Sequence, residues 1–139
     1  VTASGATEAL DYHALAEFRY QIRRFLRFSE DAARSVGLGP QQQQLLLAIK
    51  GLAPGTEPTV GELASRLQIR HHSAVELIDR LEQRQFVVRQ HSGEDRRRVR
   101  IELTPQGEHV LETLSVLHRA ELQAAAPALL AALKALLGS

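Results

Sequence analysis

The sequence predicts a mostly α-helical fold with one small β-hairpin, and three observations predict it. Apolar residues recur at helical spacing along most of the chain, the period switches to that of a strand only between residues 86 and 103, and glycine or proline stands where helices should start and stop. A chain of 139 residues, 44% of them apolar, can bury one sizeable core and falls in the size range of a single domain. The expected plan is one domain over 1–139, with flanking helices over 11–36 and 104–137 around a lobe over 40–103.

The first ten residues, rich in Ala, Thr, Gly and Ser, read as a loose arm. From Asp11 onward Leu15, Phe18, Ile22 and Phe25 recur at spacings of three and four, and Ala32 and Val36 carry the stripe to Gly37. This predicts a long amphipathic helix ending at a glycine cap. Pro40 suits the first position of a second helix, which Leu45, Leu46, Leu47 and Ile49 make apolar on most sides and therefore buried. The run from Ala53 to Pro58 is a loop, after which Thr59 and Glu62 have the spacing of a capping box. The third helix that follows is short and turns Val60, Leu63, Ala64 and Leu67 inward.

Gln68, Ile69 and Arg70 form a turn into a fourth helix, expected from about His71 to Arg84. Its apolar face holds Ala74, Leu77, Ile78 and Leu81, and its opposite face holds His72, Glu76, Asp79, Arg80 and Gln83. Two strands are expected at 86–90 and 99–103, with His91 to Arg97 as the hairpin tip. Thr104 and Pro105 cap and open a fifth helix containing Val110, Leu111, Leu114, Leu117 and Leu122. Pro127 is expected to break it, leaving a last short helix marked by Leu129, Leu130, Leu133, Leu136 and Leu137.

A formal net charge of +1 identifies no partner, but its distribution is informative. Five arginines lie between Arg89 and Arg100, against only Glu94 and Asp95. With no cysteine, disulfides, thiolate metal sites and thiol redox sensing are excluded. No run of eighteen apolar residues is present and the stretch from Val1 to Gly5 lacks the parts of a signal peptide, so a soluble, cytoplasmic protein with no membrane partner is expected. Catalysis is not expected. Ser29, Ser73 and Ser92 lack flanking nucleophile-elbow glycines, no glycine loop could cradle a phosphate, and Glu94 and Asp95 sit among arginines that keep them ionised. No cofactor is implied.

Two short helices joined by a three-residue turn, followed by a hairpin with an arginine-rich tip, follow the order of a winged helix-turn-helix. The second helix of the pair can enter a DNA major groove because its outer residues are polar and its first turn offers unpaired backbone N–H groups to phosphates. Arginines on the hairpin suit the negative potential of a narrow minor groove. The long apolar flanks exceed what the lobe needs, so a symmetric second copy is expected to cover them as dimerisation helices.

The runs Val60-Gly61-Glu62-Leu63-Ala64, Leu77-Ile78-Asp79-Arg80-Leu81-Glu82 and Asp95-Arg96-Arg97-Arg98-Val99-Arg100-Ile101-Glu102-Leu103-Thr104-Pro105-Gln106-Gly107 resemble the signature of the MarR (multiple antibiotic resistance regulator) family. The resemblance covers the chain from about Asp11 onward, and the wing followed by Leu-Thr-x-x-Gly is its specific part. It implies a homodimeric regulator of transcription that binds double-stranded DNA, with a small-molecule effector cleft between its dimerisation and DNA-binding parts. By that resemblance Asp95 braces an arginine, Arg97 enters the minor groove, and Arg96 and Arg98 add phosphate contacts. His71, His72, Ser73 and Glu76 occupy base-reading positions, with Arg70 and Arg80 near the backbone. Glu76 suits a cytosine amino group and Val75 a thymine methyl.

The chain departs from the family pattern at two places. Arg70 stands where a small polar cap is usual, so the reading helix is expected to start poorly capped. Gln85 stands where glycine is usual; a left-handed backbone there costs a non-glycine residue roughly 1 kcal/mol, so a differently shaped turn is expected.

Other readings start from the same residues. The arginine loop suits a solvated hairpin tip, and the winged fold also suits a module that binds protein. His109 and Glu112, one turn apart, with His118 further along, suit a metal-responsive regulator, although surface polar residues explain them more simply and no metal site is assigned. His71 and His72 point apart on a helix, which disfavours joint chelation. Tyr20, Arg24 and Phe28 fit either the wall of an effector cleft or ordinary packing.

Overall fold

The computed structural model describes residues 10–92 and 95–138, with the side chains of 92–98 outside the described set; the expected N-terminal arm, apart from Leu10, also lies outside it. Among the described residues helical periodicity becomes five helices: α1 (Tyr12–Ser35), α2 (Pro40–Lys50), α3 (Val60–Leu67), α4 (His71–Gln83) and, after the hairpin, α5 (Pro105–Leu137). Between α4 and α5 lie the strands β1 (Val87–Ser92) and β2 (Asp95–Leu103). They pair antiparallel, Val87 opposite Leu103 and His91 opposite Val99, with an irregularity between His91 and Ser92. Two compact units result, one containing residues 30–117 and the other residues 10–29 and 118–138.

The unit spanning 30–117 contains α2, α3, α4 and the hairpin. Leu38, Leu45, Leu46, Leu63, Ile78, Leu81, Val87 and Ile101 are almost completely buried and form its core. Burying each such aliphatic side chain contributes roughly 1.5–3 kcal/mol before chain entropy is charged against it. The amphipathic reading of α4 holds: Ala74, Leu77, Ile78 and Leu81 are buried, while His72, Glu76, Asp79, Arg80 and Gln83 are exposed.

Local hydrogen bonds fix the ends of these helices. The Thr59 hydroxyl accepts from the Glu62 N–H at 3.2 Å and starts α3. The Ile101 N–H donates to the Pro58 carbonyl at 2.9 Å, joining the loop before α3 to β2. Gln68 ends α3 with φ at 57°, in the left-handed region. Gln85, after α4, has φ at 64°. Its N–H donates to the Glu82 carbonyl at 2.9 Å and the Phe86 N–H donates to the Leu81 carbonyl at 3.0 Å, the paired bonds of a Schellman motif. The expectation of a differently shaped turn at Gln85 is therefore overturned: the two carbonyls thus satisfied, together with burial of Val87 just beyond, outweigh the left-handed penalty.

Two further expectations are corrected. The strands run beyond 86–90 and 99–103 to Ser92 and back to Asp95, because continued pairing satisfies backbone groups that a wide loop would leave to water. Pro127 does not break the terminal helix, since α5 runs through it from Pro105 to Leu137. Proline forfeits one intrahelical bond, but the Ala- and Leu-rich run on both sides has the strongest helix propensity in the chain. By length and composition α5 is apolar enough to cross a membrane, although the same is true of a helix covered by protein.

In the unit containing 10–29 and 118–138, Ala14, Gln21, Ser29 and Ala132 are buried, whereas Leu15, Tyr20, Leu26, Leu122 and Leu130 remain exposed. His118 lies 2.7 Å from the Ser29 hydroxyl and edge-on to the rings of Phe25 and Phe28.

Candidate nucleic-acid interface

The outer surface of α4 brings together the residues that the sequence placed there. His71, His72, Glu76 and Arg80 are exposed, Ser73 and Val75 are half-buried, and Arg70 is exposed immediately before the helix. Arg70 is the N-cap, with extended φ of −72° and ψ of 155°, and its side chain makes no capping hydrogen bond. The first-turn N–H groups of α4 thus lack the side-chain acceptor that Ser, Thr, Asp or Asn would supply.

The wing adjoins this helix in sequence and in space. Asp95, Arg96, Arg97 and Arg98 all have their backbone in β2, and their side chains lie outside the described residues. At the other end of the hairpin, Thr104 and Gly107 join it to α5. The Thr104 N–H donates to the Phe86 carbonyl at 3.0 Å, and its hydroxyl donates to the Gln85 carbonyl at 2.6 Å. The Gly107 N–H donates to that hydroxyl at 3.0 Å. A Cβ on residue 107 would stand 2.1 Å from the Phe86 carbonyl oxygen, so only glycine fits. The Leu-Thr-x-x-Gly pattern is thereby explained as a junction clamping the turn after α4.

Sequence reasoning missed a brace between α4 and the wing. Arg89, on β1, places Nη2 2.6 Å from Asp79 Oδ1, and its Nη1 donates to Glu82 Oε1. Its backbone N–H donates to Glu82 Oε2 at 3.3 Å. Burial alone would lower the Arg89 pKa, but the hydrogen bond to Asp79 and the charges of Glu82 and Asp79 outweigh it and the net direction is upward. The signal in the sequence is two carboxylates one helical turn apart followed by an arginine on the next strand, but which of five nearby arginines closes the bridge depends on strand register.

A second missed residue, Arg84, donates to the Gly37 carbonyl and stacks its guanidinium 5.0 Å from the centre of the Phe86 ring. It ties the end of α4 to the turn after α1.

The other candidates disperse. His109 and Glu112 are exposed on α5, and among the described residues no three His, Asp or Glu side chains gather as a metal site. His118 is half-buried against Ser29, Phe25 and Phe28, not the surface polar residue expected, because its position faces the aromatic side of α1. Arg24 lies 5.8 Å from the centre of the Tyr20 ring, and Phe28 packs against His118.

Residues 36–98 match the model of the MarR family. An uncharacterized HTH-type transcriptional regulator of Bacillus subtilis, YsmB, is 37% identical over 54 residues, which is 39% of this chain and 37% of that protein's length. Among solved structures, a mutant of S. aureus MepR bound to an oligodeoxyribonucleotide superposes with a TM-score of 0.67 at 20% identity, covering 84% of this chain and 82% of that one. Bordetella bronchiseptica BpsR, described with regulation of its DNA binding by 6-hydroxynicotinic acid, gives a TM-score of 0.61 at 20% identity, covering 77% of this chain and 74% of that one. The family match spans the helix pair and the first part of the wing, on the fold those structures share, so this part of the chain is similar to the MarR family.

Proposed function

We propose that the protein is a homodimeric, DNA-binding regulator of transcription, acting as a repressor, that reads a pseudo-palindromic operator. The observation that carries this reading is the two-sidedness of α4. One face is locked into the core by Ala74, Leu77, Ile78 and Leu81, which leaves His71, His72, Ser73, Val75 and Glu76 to meet base edges in a major groove. Arg70 and Arg80 flank that surface and neutralise phosphates. Arg97 enters the adjacent minor groove, braced by Asp95, and Arg96 and Arg98 contact the backbone.

A second copy is the proposed cover for the apolar residues Leu15, Leu26, Leu122 and Leu130, which a single chain leaves exposed. Two-fold symmetry then presents two reading helices to successive major grooves roughly 34 Å apart. A small-molecule effector would release the operator only by binding more tightly to a dimer in which that spacing is wrong.

Selection of bound sequences from random duplex DNA tests this reading. The expected result is enrichment of an inverted repeat, bound by a dimer, with log affinity falling steeply against log salt. Affinity for protein partners with no salt-dependent duplex binding would support the interaction-module reading instead.

A further inference from the structure

The DNA-facing side of α4 carries a feature that works against DNA binding: Glu76, Asp79 and Glu82 are all carboxylates. Two of the three are held by Arg89. Its guanidinium reaches Asp79 and Glu82 on successive turns, and its backbone N–H holds the second oxygen of Glu82. A strand is thereby fastened to a helix at three points only a few residues beyond the turn that joins them.

We propose that Arg89 is a positioning residue for DNA recognition, fixing the angle between wing and reading helix so that both engage one site, without itself touching the duplex. The inference rests on the DNA-binding reading and deepens it. From Arg89 to the end of β1 at Ser92 the strand advances about 10 Å, so a tilt of roughly ten degrees at the brace displaces that end by nearly 2 Å. A displacement of that size separates an arginine that reaches a groove from one that does not. The brace has little to do with holding the protein folded. Side-chain exposure is 26% for Arg89, 51% for Asp79 and 39% for Glu82, and ion pairs this open to water contribute little to global stability.

The test is a comparison of R89Q with the double variant D79N/E82Q. Each breaks the brace, but the first removes a positive charge and the second removes two negative ones. Affinity is measured for the duplex selected by the native protein and for a scrambled duplex of equal length, over a range of salt. The expected result is that both variants lose about tenfold in the ratio of selected to scrambled affinity. Melting temperatures should stay near native, the salt slope of R89Q should be unchanged, and R89K, which keeps the charge without the fork, should fall between.

The proposal is overturned if D79N/E82Q binds the selected duplex as tightly as native while R89Q weakens, since net charge alone then explains both. It is also overturned if the R89Q salt slope drops by about 0.9, the signature of a direct phosphate contact. Should R89Q fail to fold, D79N/E82Q carries the comparison. Failure of the native chain to bind any duplex would strike the DNA-binding reading and not the brace. The brace would then be judged by whether amide exchange in β1 quickens in both variants.

Discussion

Gly107 shows how one residue can be fixed by its neighbours. Because a methyl there would collide with the Phe86 carbonyl, Gly107→Ala should cost about 1–3 kcal/mol, read as a lower denaturation midpoint. The motif containing this glycine was legible in the sequence, but the reason for it, a backbone approach between residues 21 apart, was not. Gln85 makes the opposite case. Its left-handed φ of 64° is strained for any residue with a Cβ, so Gln85→Gly should raise stability by up to about 1 kcal/mol in urea unfolding, less whatever the freer unfolded chain takes back. Loss of stability would mean that the glutamine side chain holds the turn. At the wing, if Arg97 enters a minor groove as proposed, Arg97→Ala should weaken duplex binding and lower the salt slope by about 0.9, leaving the fold intact. An unchanged gel-shift titration would remove Arg97 from the mechanism.

At the scale of the element, α4 was readable almost to the residue because its apolar positions repeat on one face and its flanks lack continuation signals. Leu81, fully buried within that face, should cost about 2–5 kcal/mol when replaced by alanine, and duplex binding should fall with the folded fraction. The hairpin was legible as a hairpin, yet its strands ran further than their apolar alternation indicates. Pairing depends on a partner strand, and one strand's own pattern does not state how far that partner follows. The terminal helix failed in the same way. Proline is a local signal to stop, but α5 continues through it, so Pro127→Ala should raise helical content little and melting temperature measurably, proline being about 3 kcal/mol less favourable than alanine in a helix interior. A fall in melting temperature would show that the proline is needed where it stands.

The whole molecule is a question of what covers the long terminal helices. Leu122 and Leu130 are exposed on α5, and if a second copy buries them, Leu122→Glu combined with Leu130→Glu should shift sedimentation toward the monomer while the hairpin lobe keeps its fold. Operator affinity should then drop by far more than any wing substitution produces, since each monomer meets only half a site. An unaltered sedimentation profile would place the interface elsewhere. The sequence by itself determined the order of elements as far as the start of α5, the buried and outward faces of α4, and the stretch of arginines on the wing, because these follow from periodicity and composition within one segment. Only the tertiary structure decided that Arg89 closes on Asp79 and Glu82, that Gln85 turns left-handed, that Gly107 meets Phe86, and that α5 passes through its proline. Each of those outcomes balances a local preference against contacts with residues far away in the chain or against the free energy of a whole helix, and no single segment carries both sides of that balance.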